Sequence, residues 1–379
     1  MKGEANVLNG LRPVILMVLV QVAFSAVNVL YKLAINDGMS VKVLTAYRLA
    51  FGAVFTVSLA LFSERNKRPK MTCRVLFMSF LCGLFGGCLF QNLFYGALAL
   101  TSATFVSAIY NLIPGITFVL AITFGFEKLK LGEAAGKAKV FGTLIGIAGA
   151  MVLTFLKGMH INIWPFHVNL LKNNNPSSSH HQSSHSSKDL LGVVCAIASC
   201  FSNAFYLIIQ AKMSKEYPSY NSSTALMLTA AAIQATVFAL CSERDLSQWK
   251  LGWNIRLLAS AYSGIVGSGV VFLMIAWCIQ MRGPLFVSIF NPLMLVLVAV
   301  VASFMLDEQL YLGSVIGSVM IVCGLYTVLW GKNKDMKMVS QLVPSEIINQ
   351  QQQQEDQAIP VIVTSTPVVI NHDKCDQQQ

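Results

Sequence analysis

Charge is what this chain has least of. Of its 379 residues only 12% are Asp, Glu, Lys or Arg, while 55% are hydrophobic, and the mean hydropathy is +0.62. Soluble domains carry about twice that charged fraction, so a water-exposed globule of this composition is excluded. Residues 77–99, 106–126 and 285–306 contain no charged side chain at all. Such runs match the roughly 20 helical residues that cross a hydrocarbon core of about 30 Å. Other absences narrow the function classes. There is no CxxC pair among the nine cysteines, six of which (Cys82, Cys88, Cys195, Cys200, Cys278, Cys323) lie in apolar runs, so they read as small packing residues and not metal or redox groups. No HExxH, GxSxG or paired carboxylates suggest an enzyme, and no cofactor or metal is expected. Gly132-Glu-Ala-Ala-Gly136-Lys137-Ala138 has one residue too few between its glycines, and Ala in place of Ser or Thr, for a phosphate-binding loop. Net charge is +10, yet no basic stripe alternates with aromatics, so nucleic acid is not an expected partner.

What is present is an all-α polytopic membrane protein, read as ten spans at about 13–35, 43–62, 75–99, 103–126, 138–157, 189–212, 222–242, 257–280, 284–305 and 311–330. The first run, Pro13 to Ile35, is too long for a signal-peptide core and lacks a small-x-small cleavage site, so it reads as a retained helix. Placing the N-terminus in the cytoplasm collects most of the Lys and Arg on one side. Arg65, Lys67, Arg68, Lys70, Arg74, Lys128, Lys130, Lys137 and Lys139 all fall there, and both termini become cytoplasmic.

The chain also repeats itself. Phe105-Val106-Ser107 recurs as Phe286-Val287-Ser288, and at the same offset Glu127, Leu129, Leu131, Gly132 and Gly136 fall on Glu308, Leu310, Leu312, Gly313 and Gly317. Five spans per copy is odd, so the copies run in opposite directions through the membrane. The charge pattern agrees: the loop after Glu127 has four lysines, and the turn around Glu308 has no Lys or Arg. The expected organisation is a cytoplasmic N-terminus (1–12), a first repeat (13–157), an extracytoplasmic linker (158–188) and a second repeat (189–331). A disordered cytoplasmic tail (332–379) with a polyglutamine run at Gln350–Gln354 closes it. The linker holds His160, His167, His180, His181 and His185 amid Asn and Ser, and reads as solvated chain rather than a metal site.

Polar residues inside spans are costly unless they face a cavity or a partner. The substrate-binding candidates on that ground are Gln21, Asn28, Gln91, Asn92, Asn111, Asn203, Tyr206, Gln210, Trp277 and Asn291, with Pro114 and Pro292 as matched helix interruptions. Gln234 and Gln280 are further intramembrane amides. Arg48 either reaches for the outer interface or pairs with a substrate carboxylate. Glu127 and Glu308 stand at span ends, where a capping or turn role is expected. Gly83-x3-Gly87, Gly142-x3-Gly146 and Gly313-x3-Gly317 allow close helix approach, within the bundle more than in a homodimer. Asn221-Ser222-Ser223 fits a glycosylation pattern but falls on the cytoplasmic side.

These residues resemble the plant nodulin-like EamA group of the drug/metabolite transporter superfamily, which includes walls-are-thin-related proteins and the UMAMIT facilitators. The carrying stretches are Gln91-Asn92-Leu-Phe-Tyr95, Thr101-Ser-Ala-Thr-Phe105, Asn111-Leu-Ile-Pro114 leading to Glu127, Arg282-Gly-Pro-Leu-Phe-Val287, Asn291-Pro292-Leu293 and Asp307-Glu308-Gln-Leu310. They close with Leu312-Gly-Ser-Val-Ile-Gly317 and Gly324 to Lys332. The resemblance implies ten helices in two inverted EamA repeats and alternating-access movement of small organic solutes. Amino acids are the expected solutes, at the plasma membrane. A vacuolar carrier of auxin or another metabolite, and a non-transporting receptor or scaffold, are the alternatives.

Overall fold

A chain crossing lipid must satisfy its backbone hydrogen bonds internally, and this one does so with helices. The computed structural model describes residues 2–64, 71–101, 103–127, 132–155, 160–161, 186–252, 254–297 and 310–357. Nine described helices are long and apolar enough to cross a membrane. They are span 1 (Leu11–Ile35), span 2 (Val41–Ser63), span 3 (Cys73–Leu100), span 4 (Phe105–Thr123), span 5 (Ala134–Phe155), span 6 (Leu190–Glu216), span 7 (Tyr220–Ser242), span 8 (Ile255–Arg282) and span 10 (Val315–Met336). Span 9 is described as the shorter apolar helix Pro284–Leu297; the rest of its expected length, and Glu308, lie outside the described residues. Large apolar side chains such as Val54, Phe62, Val119, Phe141 and Val237 are exposed on the bundle's outer surface, as a lipid-facing belt requires.

Residues Met1–Lys332 form one compact unit and Asn333–Gln379 a second. The described part of the second unit is helical to Gln357, where the sequence led us to expect disorder. Its Lys, Met, Gln and Glu residues are good helix formers, which low hydrophobicity alone does not reveal. Of the histidine-rich linker, His160 and Ile161 are described; they pair antiparallel with Tyr311 and Leu310. His167, His180, His181 and His185 lie outside the described residues.

Polar contacts between loops and span ends fall into two sets, one at each end of the bundle. At one, Asp37 pairs with Arg256 at 2.6 Å, Ser40 donates to Glu243 at 2.7 Å, and Tyr47 donates to the Trp249 carbonyl at 2.7 Å. At the other, Arg74 pairs with Glu216 at 2.9 Å, Ser219 and Ser222 donate to Glu64, and Glu127 pairs with both Lys139 and Lys332. Every contact joins residues that a strictly alternating ten-span path puts on the same side. Glu127 is therefore not a simple cap. It is a buried carboxylate bridging the end of span 4 to spans 5 and 10. At the Asp37 end, the Asp245 carboxyl accepts from the Ser247 hydroxyl and N–H at 2.7 and 2.9 Å, which holds it below the usual carboxylate range.

The two halves are built alike and run inverted. Span 3 contains a π-helical stretch at Gly83–Leu89, and span 8 contains one at Ser263–Val270. At the repeat offset Gly83 falls on Gly264 and Gly86 on Gly267, so the same Gly-x-x-Gly motif makes the same irregularity twice. A Cβ on Gly83 would meet the Met227 carbonyl at 2.9 Å and the Ala231 nitrogen at 2.8 Å. One on Gly264 would meet the Arg48 carbonyl at 2.7 Å and the Gly52 nitrogen at 3.4 Å. Span 7 thus presses on the first bulge as span 2 presses on the second. Spans 5 and 10 pack through Gly142, Gly149, Gly317 and Gly324, each within 3 Å of the facing backbone if given a Cβ. These glycines serve packing inside the bundle, as expected for membrane helices.

Spans 4 and 9 are both broken. Helix Ala103–Tyr110 stops, Asn111 and Leu112 turn, and Ile113–Thr123 restarts with Pro114 in its first turn. Likewise Pro284–Ser288 stops, Ile289 and Phe290 turn, and the helix restarts at Asn291-Pro292. Proline suits a first helical turn because its missing N–H is not needed there.

Candidate functional site

The breaks and bulges surround a central chamber of about 150 Å³. A π-turn inserts an extra residue, so its neighbours lose the regular ladder and helices part locally. Phe24 and Asn28 of span 1, Arg48 of span 2, Gly86, Phe90, Gln91, Phe94 and Tyr95 of span 3, and Ser107 and Tyr110 of span 4 form one side of the lining. Asn203 and Tyr206 of span 6, Phe272 and Ile275 of span 8, and Val287, Asn291 and Met294 of span 9 form the other. Asn28 borders the chamber and is itself exposed.

Among the described residues Arg48 is the one charged side chain in that lining, and it is buried to 6% exposure. Its Nε–H donates to Ser268 Oγ at 2.8 Å, and Nη2 donates to the Gly267 carbonyl at 3.2 Å. Both acceptors belong to the second bulge, whose irregular backbone turns a carbonyl outward. The guanidinium also lies 5.5 Å from the centre of the Tyr31 ring. A charge at bilayer depth costs about 3 kcal/mol on insertion scales. Two hydrogen bonds to a charged donor, each about 1.5–3 kcal/mol, and the ring contact offset that. Arginine has five N–H donors. Two are engaged here, and among the described residues no carboxylate neutralises the group. Of the two alternatives for Arg48, its hydrogen bonds to Ser268 and Gly267 favour the inward one: the bulge holds the guanidinium at the chamber.

Aromatic rings make the remaining wall. Tyr31 and Tyr95 stack at 5.7 Å. Phe94 meets Tyr95 and Tyr110 edge-on at 5.5 and 5.7 Å, and Tyr206 meets Phe272 edge-on at 5.7 Å. Gly86 is needed for this arrangement, because a Cβ there would lie 2.6 Å from the Tyr206 ring. The Gln91 amide oxygen and the Tyr206 hydroxyl are buried without a hydrogen-bond partner among the described residues. A rigid cage with one fixed cation, spare amides and π faces can bind a small solute that carries an anionic group.

Of the residues singled out from the sequence, Asn28, Arg48, Gln91, Asn203, Tyr206 and Asn291 line the chamber together. The others do not. Asn92 donates to the Cys88 carbonyl at 2.7 Å, satisfying the first bulge, and Asn111 donates to the Ser107 carbonyl at 2.8 Å at the span 4 break. Pro114 and Pro292 border a seam with Gly142, Gly146 and Gly324, behind the chamber. They set the breaks that aim neighbouring residues inward, while their rings pack against spans 5 and 10. Trp277 packs against the main apolar core. Gln21 and Gln210 are buried away from the lining. Sequence reasoning missed Phe90, Phe94, Tyr95, Tyr110 and Phe272. The i, i+4 pairs Phe90/Phe94 and Gln91/Tyr95, which put aromatics beside an amide on one face of span 3, were the available signal.

Comparison with known proteins agrees with this architecture. The EamA-like transporter family matches residues 11–155 and 190–330, one match per half. The chain is 46% identical to WAT1-related protein At1g68170 of Arabidopsis thaliana over 85% of this chain and 90% of that protein. It is 44% identical to WAT1-related protein At1g25270 of Arabidopsis thaliana, over 87% and 92%. A solved structure described only as the crystal structure of a protein aligns with TM-score 0.59 at 18% identity, covering 84% of this chain and 97% of its own. That likeness concerns the fold alone.

Proposed function

The chain belongs to the EamA-like transporter family, and we propose that the small solutes it moves are amino acids, carried by alternating access of its two inverted halves. Family membership makes it a multi-pass membrane transporter of small solutes. The choice of amino acids rests on one observation: Arg48 is buried beside the chamber with donors to spare and, among the described residues, no acidic neighbour in the lining. A guanidinium fork matches a carboxylate in two parallel hydrogen bonds. The unpartnered Gln91 amide oxygen and the aromatic faces suit the ammonium group of the same molecule. The lysine-rich Glu127 end is assigned to the cytoplasm, and the membrane to the plasma membrane.

Flux tests this directly. Oocytes expressing the full chain are loaded with a mixture of labelled amino acids or with labelled indole acetate, and efflux and uptake are followed. Amino-acid flux above that of uninjected cells, lost in Arg48→Gln, is the expected result. Flux of indole acetate alone would replace the amino-acid reading with an organic-acid carrier, and flux of neither would leave a receptor or scaffold.

A further inference from the structure

Span 6 carries a polar stripe that the central chamber does not use up. Asn203, Tyr206, Gln210 and Tyr217 recur at i, i+3, i+7 and i+14, which places all four on one narrow face of a 3.6-residue helix. Asn203 and Tyr206 line the chamber. Gln210 lies about 6 Å further along the axis toward the Glu127 end, and Tyr217 about 10 Å beyond that, by the rise of an α-helix. Tyr217 stands just past the end of the helix, its N–H still bonded to the Met213 carbonyl at 2.7 Å. It also borders a second cavity of about 120 Å³, shared with Ala60, Met71, Ser222 and Thr229, at that end of the bundle.

Between the two cavities the stripe is sealed. Gln210 and Tyr217 are each 1% exposed. Both amide atoms of Gln210 and the hydroxyls of Tyr206 and Tyr217 have no hydrogen-bond partner among the described residues. Buried polar residues in membrane bundles usually glue helices together through hydrogen bonds, but these three make none. An orphaned buried polar group costs about 1–3 kcal/mol, so this arrangement raises the energy of the closed state. Leu or Met at position 210 would fill the same volume without that cost. The cost is recovered in a state where these atoms meet water or a polar solute.

We infer that the Gln210–Tyr217 face of span 6 is the solute's route between the chamber and the Glu127 end, closed in this structure, with Gln210 as a second polar station. The ligand is the same small polar solute that occupies the chamber, so the identity of the cargo, though not the route, rests on the transport reading above.

Thiol accessibility tests the route without any knowledge of the cargo. Gln210→Cys and Tyr217→Cys are compared with Met17→Cys, which is fully buried on span 1 at a similar depth. A membrane-impermeant methanethiosulfonate is applied to right-side-out and inside-out vesicles, and tagged peptides are read by mass spectrometry so that native cysteines do not interfere. The expected result is labelling of both positions from the Glu127 side, at least tenfold faster than Met17→Cys, and none from the Asp37 side. Labelling no faster than Met17→Cys, or labelling from the Asp37 side, overturns the route. A second arm uses the near-isosteric Gln210→Met and Tyr217→Phe. Labelled amino-acid flux should fall about tenfold while chamber binding stays at its wild-type value and the melting temperature stays level or rises, as removal of an orphaned polar group requires. Wild-type flux in both variants, or a joint fall of binding, melting temperature and flux, marks the stripe as inert or merely structural. If wild type moves no amino acid, the amino-acid reading fails, and the thiol rates alone decide the route.

Discussion

The two glycine bulges are the same device put to different uses. Gly83–Leu89 and Ser263–Val270 arise from one repeated motif, and each receives the backbone of a neighbouring span at a glycine with no room for a Cβ. What they bind differs. The first bulge is satisfied from within the bundle: Asn92 donates to the Cys88 carbonyl, and Ser202 donates to the Phe85 carbonyl at 2.8 Å. The second holds a charge, through Ser268 Oγ and the Gly267 carbonyl to Arg48. Duplication thus supplies a symmetric frame, and a single arginine on span 2 makes the chamber chemically one-sided. Under the proposed alternating access, rocking would use the symmetry and recognition its breach.

The comparison breaks most visibly at Arg48. Truncating one partner of a buried charge pair costs about 2–5 kcal/mol. Arg48→Gln should therefore weaken amino-acid binding by about 30-fold or more. Arg48→Lys should recover only part of it, because an ammonium cannot hold the bulge and present a fork together. Scintillation-proximity binding on purified protein reads both. Next comes the frame itself. Gly83→Ala and Gly264→Ala each force a Cβ into facing backbone, and overpacking of this kind costs about 1–3 kcal/mol. Both should lower the melting temperature alike. Only Gly264→Ala, which presses on the Arg48 carbonyl, should also weaken binding; equal binding losses would mean that the halves are not divided in this way. The smallest effect separates two serines. Ser268→Ala removes a hydrogen bond to a charged group, worth about 1.5–3 kcal/mol before the arginine readjusts, and should weaken binding by a few-fold to about tenfold. Ser202→Ala, at the other bulge, should leave binding unchanged.

Spans, repeat and inversion were legible in the sequence because each depends on quantities it states directly: apolar length, recurring residues and the side on which lysines collect. Arg48, Asn28, Gln91, Asn203, Tyr206 and Asn291 were legible for a related reason, since a polar residue in a lipid-crossing run needs a purpose. The bulges were not. Hydropathy is blind to whether an N–H bonds four or five residues back, and Gly83-x3-Gly87 read as a packing motif hid the Gly83-x-x-Gly86 match to Gly264 and Gly267. The aromatic wall was hidden too, because Phe90 and Phe94 have the same hydropathy whether they face lipid or a cavity. Pro114 and Pro292 marked the right helices for a different reason from the one expected: they start the second segments, and Asn291 and Tyr110 beside the breaks line the chamber.

The account stands or falls on whether Arg48 reads a carboxylate. Equilibrium binding of one labelled amino acid and of its decarboxylated amine to the purified protein, in wild type and Arg48→Gln, measures this. Wild type should bind the amino acid and not the amine, and the substitution should erase that preference. An amine that binds wild type as tightly as the amino acid does, or a preference that survives in Arg48→Gln, would contradict it.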